Sequence, residues 1–525
     1  MENQLNPASQ NFETLRQWVV DALRELQKDR DAAARRRDFY DGLHWSPEER
    51  MVLAARGQPD VVINRIKPKV DTLLGLERQQ RTDPLAHPRT PGDQDAAHAA
   101  TDAIRFVCQQ ADFDQIRSEV FEHLLVEGQG AAELGVVTNP RGEEEIFIHL
   151  VPPGRLLYDP LSRNRDFSDA RFLGVTGWLD QDEALRRYPD AGALLAEGAD
   201  QPGDWDPQEE GLSWNDQRRR VRLVKLWFRQ ADQWWHATLA GAGWLRTPRP
   251  GPFRDAAGRS FCPIVAQSAF VRGRDGARYG LVEQMIPIQE EINKRRSKAM
   301  HLINTRQTLA ETGAVEDVRR AKQELAKPDG HLEVRPGMRF ELLPTGDMAA
   351  AQFQLLAEAK AEIDQVGPEA SLSGRGQRGE SGRHLELRRQ SGLLELGPLL
   401  DGLRHFNRRV FSLVWLLIRQ YWTAPRWVRI TDDPETPRWV GLNQDPAAPD
   451  ADPALPRVAS LAELDLDIVV DEGPDVLSLQ SEQFNRLVGL AGAGVPIPPD
   501  LLVEASNLRQ RHRILERLRA APGHR

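Results

Sequence analysis

Cysteine is almost missing from this chain: Cys108 and Cys262 are the only two in 525 residues. Two thiols cannot build a disulfide framework or a sulfur-rich zinc cluster, and their scarcity reads as a reducing compartment. Long apolar runs are also absent. The longest, Val410 to Ile418 with Ser412 inside it, falls far short of the ~20 residues a membrane-spanning helix needs. The segment from Met1 to Leu15 has no basic start followed by an apolar stretch, so no secretory signal is read. Lysine is sparse, and the basic residues are overwhelmingly arginine.

The motifs of the common enzyme classes are missing as well. The dipeptide Gly-Lys never occurs, which removes the phosphate-cradling loop of a P-loop ATPase together with its lysine. There is no His-Glu-x-x-His, no Cys-x-x-Cys and no Gly-x-Ser-x-Gly nucleophile elbow. Gly374, Gly376 and Gly379 spell Gly-x-Gly-x-x-Gly, but residues 349–366 before them read as a helix. A dinucleotide site needs a strand there. No cofactor and no bound metal are expected.

What remains is an ordinary soluble composition, 40% hydrophobic and 28% charged, with a formal net charge of -9. The length allows several domains and a sizeable core. The acidity argues against a simple sequence-reading DNA binder, which carries a basic excess. Asp159, Asp166 and Asp169 lie close together in one loop and are the candidates for a cation or nuclease site. The Asp-rich stretch 445–452 is interleaved with Pro and Ala and reads as a solvated linker.

Helical spacing of Leu15, Val19, Leu23 and Leu26 predicts a helix over 10–38, with Arg35, Arg36 and Arg37 on a polar stretch. Ser46, Pro47 and Glu49 form a helix start, an N-cap with Pro at N1 and Glu at N3. Further helices are expected over 64–80, 96–110 and 113–128. Strands follow over 132–137 and 145–151, flanking the turn at Asn139 to Gly142, then over 222–229 and 233–239. Trp227, Trp234, Trp235 and Trp244 thicken this part and read as core or subunit contact.

The middle of the chain changes character. A helix is expected over 280–304, with Leu281, Met285, Ile288 and Ile292 on one side and Pro287 kinking it or marking its first turn. Residues 305–344 read as an insert with a helix over 315–325 and strands over 331–334 and 338–343. A second helix returns over 347–366. A loop rich in Gly and Arg covers 367–384, and a very long helix over 385–422 is expected to kink at Gly397 and Pro398. Strands over 427–430, 437–442 and 466–470 and helices over 481–491 and 499–520 close the chain.

These segments, in this order, resemble the portal protein family of tailed phages, in the branch with short tails. The strings that carry the resemblance are Phe39 to Ser46, Gly57 to Asp71, Gly75 to Arg78, Gln289 to Lys298, Gly382 to His384 with the long helix after it, and Asp467 to Asp475. It runs from about residue 10 to 515 and rests on the ordered set.

The resemblance implies an α+β portal fold. Residues 1–279 would be a mixed α/β wing, 280–304 the first stem helix, 305–346 a small α/β clip and 347–366 the second stem helix. The tunnel loop would be 367–384 and the long kinked tunnel helix 385–422. Residues 423–475 would return to the wing and 476–525 would form a helical crown, with no long C-terminal barrel.

It further implies a non-enzymatic ring oligomer, typically a dodecamer, at one capsid vertex of the virion, assembled in the host cytoplasm. Expected partners are double-stranded DNA passing through the channel, the terminase large subunit, tail or head-completion adaptor proteins, and capsid and scaffolding proteins, with no membrane. Arg375, Arg378, Arg383, His384 and Arg388 are the candidates for transient phosphate contact in the channel. Lys294, Arg295, Arg296 and Lys298 sit on a helix, where 100° per residue spreads them around it. They read as intersubunit ion pairs or a solvated face. The alternatives kept open are a DNA-free oligomeric scaffold or adaptor and a metal-dependent nuclease.

Overall fold

The computed structural model describes residues 11–79, 84–87, 94–198, 220–240, 243–304, 307–327, 329–343, 346–367, 396–430, 438–445, 457–458, 471–472, 486–492 and 495–504. The chain opens with α1 (Phe12–Glu25) and α2 (Gln27–Asp41), which bury Leu15, Val19, Leu23 and Phe39. Gly42 ends α2 with φ 92°, a left-handed backbone that costs glycine little. Helix α3 (Pro47–Ala55) starts on the expected capping box, in which Ser46 and Glu49 satisfy each other's backbone N–H groups. Helix α4 (Ile66–Gln79) follows; Asn64 Oδ1 accepts from the amides of Ile66 and Lys67 at 3.0 and 3.1 Å.

After β1 (Pro84–Leu85) come α5 (Gln94–Gln110) and α6 (Phe113–Val126). Next are β2 (Gln129–Thr138), β3 (Glu144–Val151), β4 (Leu156–Tyr158), β5 (Phe172–Asp180), α7 (Gln181–Arg187), α8 (Gly192–Gly198), β6 (Arg220–Gln230), β7 (Gln233–Ala240), β8 (Gly243–Pro250), β9 (Ile264–Ser268), β10 (Phe270–Val271) and β11 (Arg278–Tyr279). They form an antiparallel sheet in the order β3-β2-β9 and another in the order β4-β5-β6-β7-β8. Helix α6 lies on β2 so closely that a Cβ on Gly130 would collide with the carbonyl of Val120. The tryptophans behave as core: Trp227 is buried in the main core cluster, and Trp234, Trp235 and Trp244 pack against that cluster from the margin.

The second half holds α9 (Val282–Asn304), β12 (Gln307–Ala310), α10 (Val318–Ala326), β13 (Phe340–Leu343), α11 (Gly346–Gln365) and α12 (Gly397–Tyr421). It ends with β14 (Arg426–Ile430), β15 (Arg438–Leu442), β16 (Arg457–Val458), β17 (Asp471–Glu472) and α13 (Pro499–Glu504). Helix α12 buries a stripe from Leu399 to Ile418 against β2, β3 and β9. Strands β14-β15-β16 form a small sheet, and β17 pairs with β1, so the far end of the chain returns to the N-terminal part. The fold is mixed helix and sheet, with no closed barrel among the described residues. No described helix is long and apolar enough to cross a membrane.

Two expectations change. The strand expected over 331–334 is irregular, and β13 pairs instead with β12, which periodicity missed. Strand choice here is made by the neighbour across the ladder, not by local alternation. Helix α9 runs continuously through Pro287 past its first turn. Pro398 sits in the first turn of α12, where a missing N–H costs nothing. A kink at Gly397 and Pro398 depends on residues 385–395, which lie outside the described residues, as does the strand expected over 466–470.

Candidate functional site

Helices α9 and α11 form one long antiparallel hairpin. At its base the backbone of Gly367 comes against Leu281, and midway Arg295 Nη1 donates to Gln352 Oε1 at 3.3 Å. The hairpin continues past the helices into the ribbon β12–β13, with Gln307 opposite Leu343. At 1.5 Å per residue α9 alone spans about 35 Å. Apolar residues on the helix pair, such as Ile292, Leu356 and Ile363, join the main core. Farther out, Ala299, Leu302, Ala314, Ala321 and Ala349 are buried but belong to no large core cluster. The ribbon exposes Leu309, Leu342 and Leu343.

The other face of α9 is polar and fully buried. Gln289, Asn293 and Ser297 recur every fourth residue and are at most 1% exposed. They hold residues 58–65, a strap without regular structure between α3 and α4. The amides of Ile63 and Arg65 donate to Asn293 Oδ1 at 3.0 Å and Gln289 Oε1 at 2.9 Å. Gln289 Nε2 donates to the Ile63 carbonyl at 2.7 Å, and Ser297 Oγ to the Pro59 carbonyl at 2.5 Å. The helix thus supplies what a neighbouring strand would supply. Two of the strings singled out in the sequence, Gly57 to Asp71 and Gln289 to Lys298, meet along this line.

Arg35, Arg36 and Arg37 also clamp this junction. Arg35 pairs with Glu290. Buried Arg36 donates to Glu283 and to the Glu127 carbonyl at 2.5 and 2.6 Å. Arg37 binds Glu122 at 2.6 Å and Glu127 at 2.7 Å. Burial pushes the Glu127 carboxyl up, and Arg37 opposes that. Three consecutive arginines point 100° apart on α2, so each reaches a different partner. The sequence signal was the triplet itself, which reads equally well as a solvated run.

Of the basic residues on α9, Lys294 and Arg295 pair with Glu290 and Glu291 one turn back, both at 3.1 Å. Arg296 lies over the Phe353 ring at 5.8 Å, and Lys298 is exposed. Arg375, Arg378, Arg383, His384 and Arg388 lie outside the described residues.

The three loop aspartates do not converge. Asp159 accepts from the amides of Leu161 and Arg171. Asp166 accepts from Ser168, and Asp169 from Ser162 Oγ and the amides of Arg163 and Asn164. Burial raises the Asp166 and Asp169 carboxyls, but these donors outweigh it and hold both low. Buried Arg278 stacks under Phe167 with its Cζ 3.8 Å from the ring centre, and Arg409 donates to the Asp166 carbonyl. The carboxylates are turn caps, and no group of three acidic, His or Cys residues fit to hold a metal occurs among the described residues. The nuclease reading loses its site.

Comparison with known proteins gives two findings. The family model of the phage P22-like portal protein matches residues 16–525. The portal protein of Helicobacter pylori bacteriophage KHP30 is 21% identical over 408 residues, 75% of this chain. The chain spans 64% of the length of that relative.

Proposed function

Because the chain belongs to the phage P22-like portal protein family, whose members are structural, non-enzymatic components forming oligomeric rings in phage capsids, we propose that it is the channel through which the genome enters and leaves the particle. In this reading the ring occupies one capsid vertex and is typically a dodecamer. It docks the terminase large subunit during packaging and tail or head-completion proteins afterwards.

The observation that carries this reading is the α9–α11 hairpin with its β12–β13 tip, in the order and place expected of two stem helices and a clip. Residues 280–304 and 347–366 are then the stem, 305–346 the clip and 367–384 the tunnel loop. Residues 1–279 with 423–475 make the wing, and 476–525 the crown. The exposed leucines of the ribbon would be covered by neighbouring copies or by docked proteins, since a two-stranded ribbon is marginal alone.

A ring repeats each residue around its axis. With a net charge of -9 per chain, the lumen would resist tight phosphate binding, and a few arginine rings would supply brief contacts to sliding DNA. Arg375, Arg378 and Arg383 are assigned that role. The test has two parts. Electron microscopy of the purified chain is expected to give rings with an axial opening wide enough for a ~20 Å duplex; a monomer at every concentration would overturn the reading. Replacing the three arginines by Ala is expected to shorten the packaged DNA or weaken its retention, and unchanged packaging would remove the role from them.

A further inference from the structure

The strap hangs on α9 through hydrogen bonds whose directions depend on one imidazole. His44, 5% exposed, stacks on Phe39 with ring centres 4.7 Å apart. Its Nε2 is 2.8 Å from the Phe39 carbonyl and its Nδ1 is 2.7 Å from Asn293 Nδ2. A carbonyl only accepts, so Nε2 carries the proton and Nδ1 accepts from the Asn293 amide. That fixes which way Asn293 faces. Its Oδ1 is left for the Ile63 amide at 3.0 Å and for Gln289 Nε2 at 3.1 Å. Gln289 in turn has Oε1 for the Arg65 amide. Each of these contacts sets a donor against an acceptor, but only with a neutral ring.

A second proton on His44 would aim Nδ1–H at the Asn293 amide nitrogen, donor against donor. Turning Asn293 over would restore that contact and put its NH2 against the Ile63 and Gln289 N–H groups. Either way a buried donor is stranded, at about 1–3 kcal/mol.

We propose that His44, Asn293 and Gln289 form a proton-operated latch that holds the strap on α9 while the His44 ring is neutral and lets it go when the ring is charged. Burial is the main force keeping the ring neutral; the Phe39 carbonyl and the Glu290 carboxylate act the other way. Of the charges around it, Glu290 on α9 is engaged by Arg35 and Lys294. On α4, Lys67 and Asp71 pair with each other. On α2, burial and then the neighbouring Asp41 carboxylate raise the Asp38 carboxyl. His301, farther along α9, has Nδ1 3.3 Å from the Gly57 carbonyl at the near end of the strap. The latch is a property of this chain's own side chains and stands apart from the portal reading.

The test is amide hydrogen exchange on the full chain at about pH 7.5 and about pH 5, with rates corrected for the intrinsic effect of pH. Protection of the Ile63 and Arg65 amides is expected to fall about tenfold or more at the lower pH, the equivalent of one pKa unit. The amides of Val224 and Leu226 in β6 should hold theirs. In His44→Asn, whose Oδ1 can accept from Asn293 but takes no proton, the fall should vanish. In Asn293→Asp, whose carboxylate accepts from Ile63 and from a charged His44 together, it should vanish too. Equal protection at both pH values in the native chain would overturn the latch. So would a fall that persists in either variant; if His44→Asn does not fold, Asn293→Asp decides alone.

Discussion

Gln289 and Ile63 lie 226 positions apart in the chain, yet the Gln289 side chain donates to the Ile63 carbonyl at 2.7 Å inside the fold. The same side chain accepts from the Arg65 amide. Gln289→Leu would keep much of the volume and strand both backbone groups. At about 1–3 kcal/mol for each buried unsatisfied group, the expected loss is about 2–6 kcal/mol, read from urea unfolding. A loss under about 0.5 kcal/mol would mean that water reaches the strap.

Arg37 neutralises Glu127, whose side chain is 10% exposed. Arg37→Ala leaves that carboxylate buried without its partner, which costs about 3–5 kcal/mol. Pairing it with Glu127→Gln should recover part of the loss, because the uncompensated charge goes with the second change. A double-mutant cycle on unfolding free energies measures this, and strict additivity would contradict it.

Acid should weaken the fold through His123. Burial, helped by the Arg37 cation, lowers its pKa from 6.5 to about 4. The folded value lies below the unfolded one, so the unfolded chain takes up the proton first. The associated stability is present above about pH 6.5 and is lost as pH falls toward about 4, over a span of about 3 kcal/mol. His123→Gln should flatten the stability curve across that window. An unchanged slope would place the acid sensitivity elsewhere.

The tip ribbon should separate folding from assembly. Leu309 is 52% exposed and Leu343 is 40% exposed, on one face of β12–β13. Changing both to Ser should shift unfolding by no more than about 0.5 kcal/mol. Ring formation, followed by native mass spectrometry, should drop clearly. Rings formed with undiminished yield would show that this face touches no neighbouring copy.

Much of the fold was legible because it obeys simple periodicities. Leu15, Val19 and Leu23 face the core as their spacing predicts, and Ser46 with Glu49 caps a helix as its residue types predict. The junction was not legible. On α9 the sequence reading marked Leu281, Met285, Ile288 and Ile292, whereas the face toward the strap is Gln289, Asn293 and Ser297. Hydrophobic spacing equates polar with exposed, and these polar groups are buried because an unpaired backbone segment needed partners. Arg36 misleads in the same way, since its acidic and carbonyl partners lie far off in sequence. The Asp159, Asp166 and Asp169 cluster erred in the opposite sense: a crowd of carboxylates in sequence became separate caps once each met its own turn.

The ladder on α9 also acts as a ruler. An apolar seam would let a helix slip along its neighbour by small amounts at little cost. Rungs at Gln289, Asn293 and Ser297, matched to particular amides and carbonyls of the strap, permit one seating, and a slip of one turn (about 5.4 Å) would leave several of them unmet. Each copy would therefore set its hairpin tip at the same height. In the proposed ring that would make a level rim, on which a docking partner would meet every subunit in one plane.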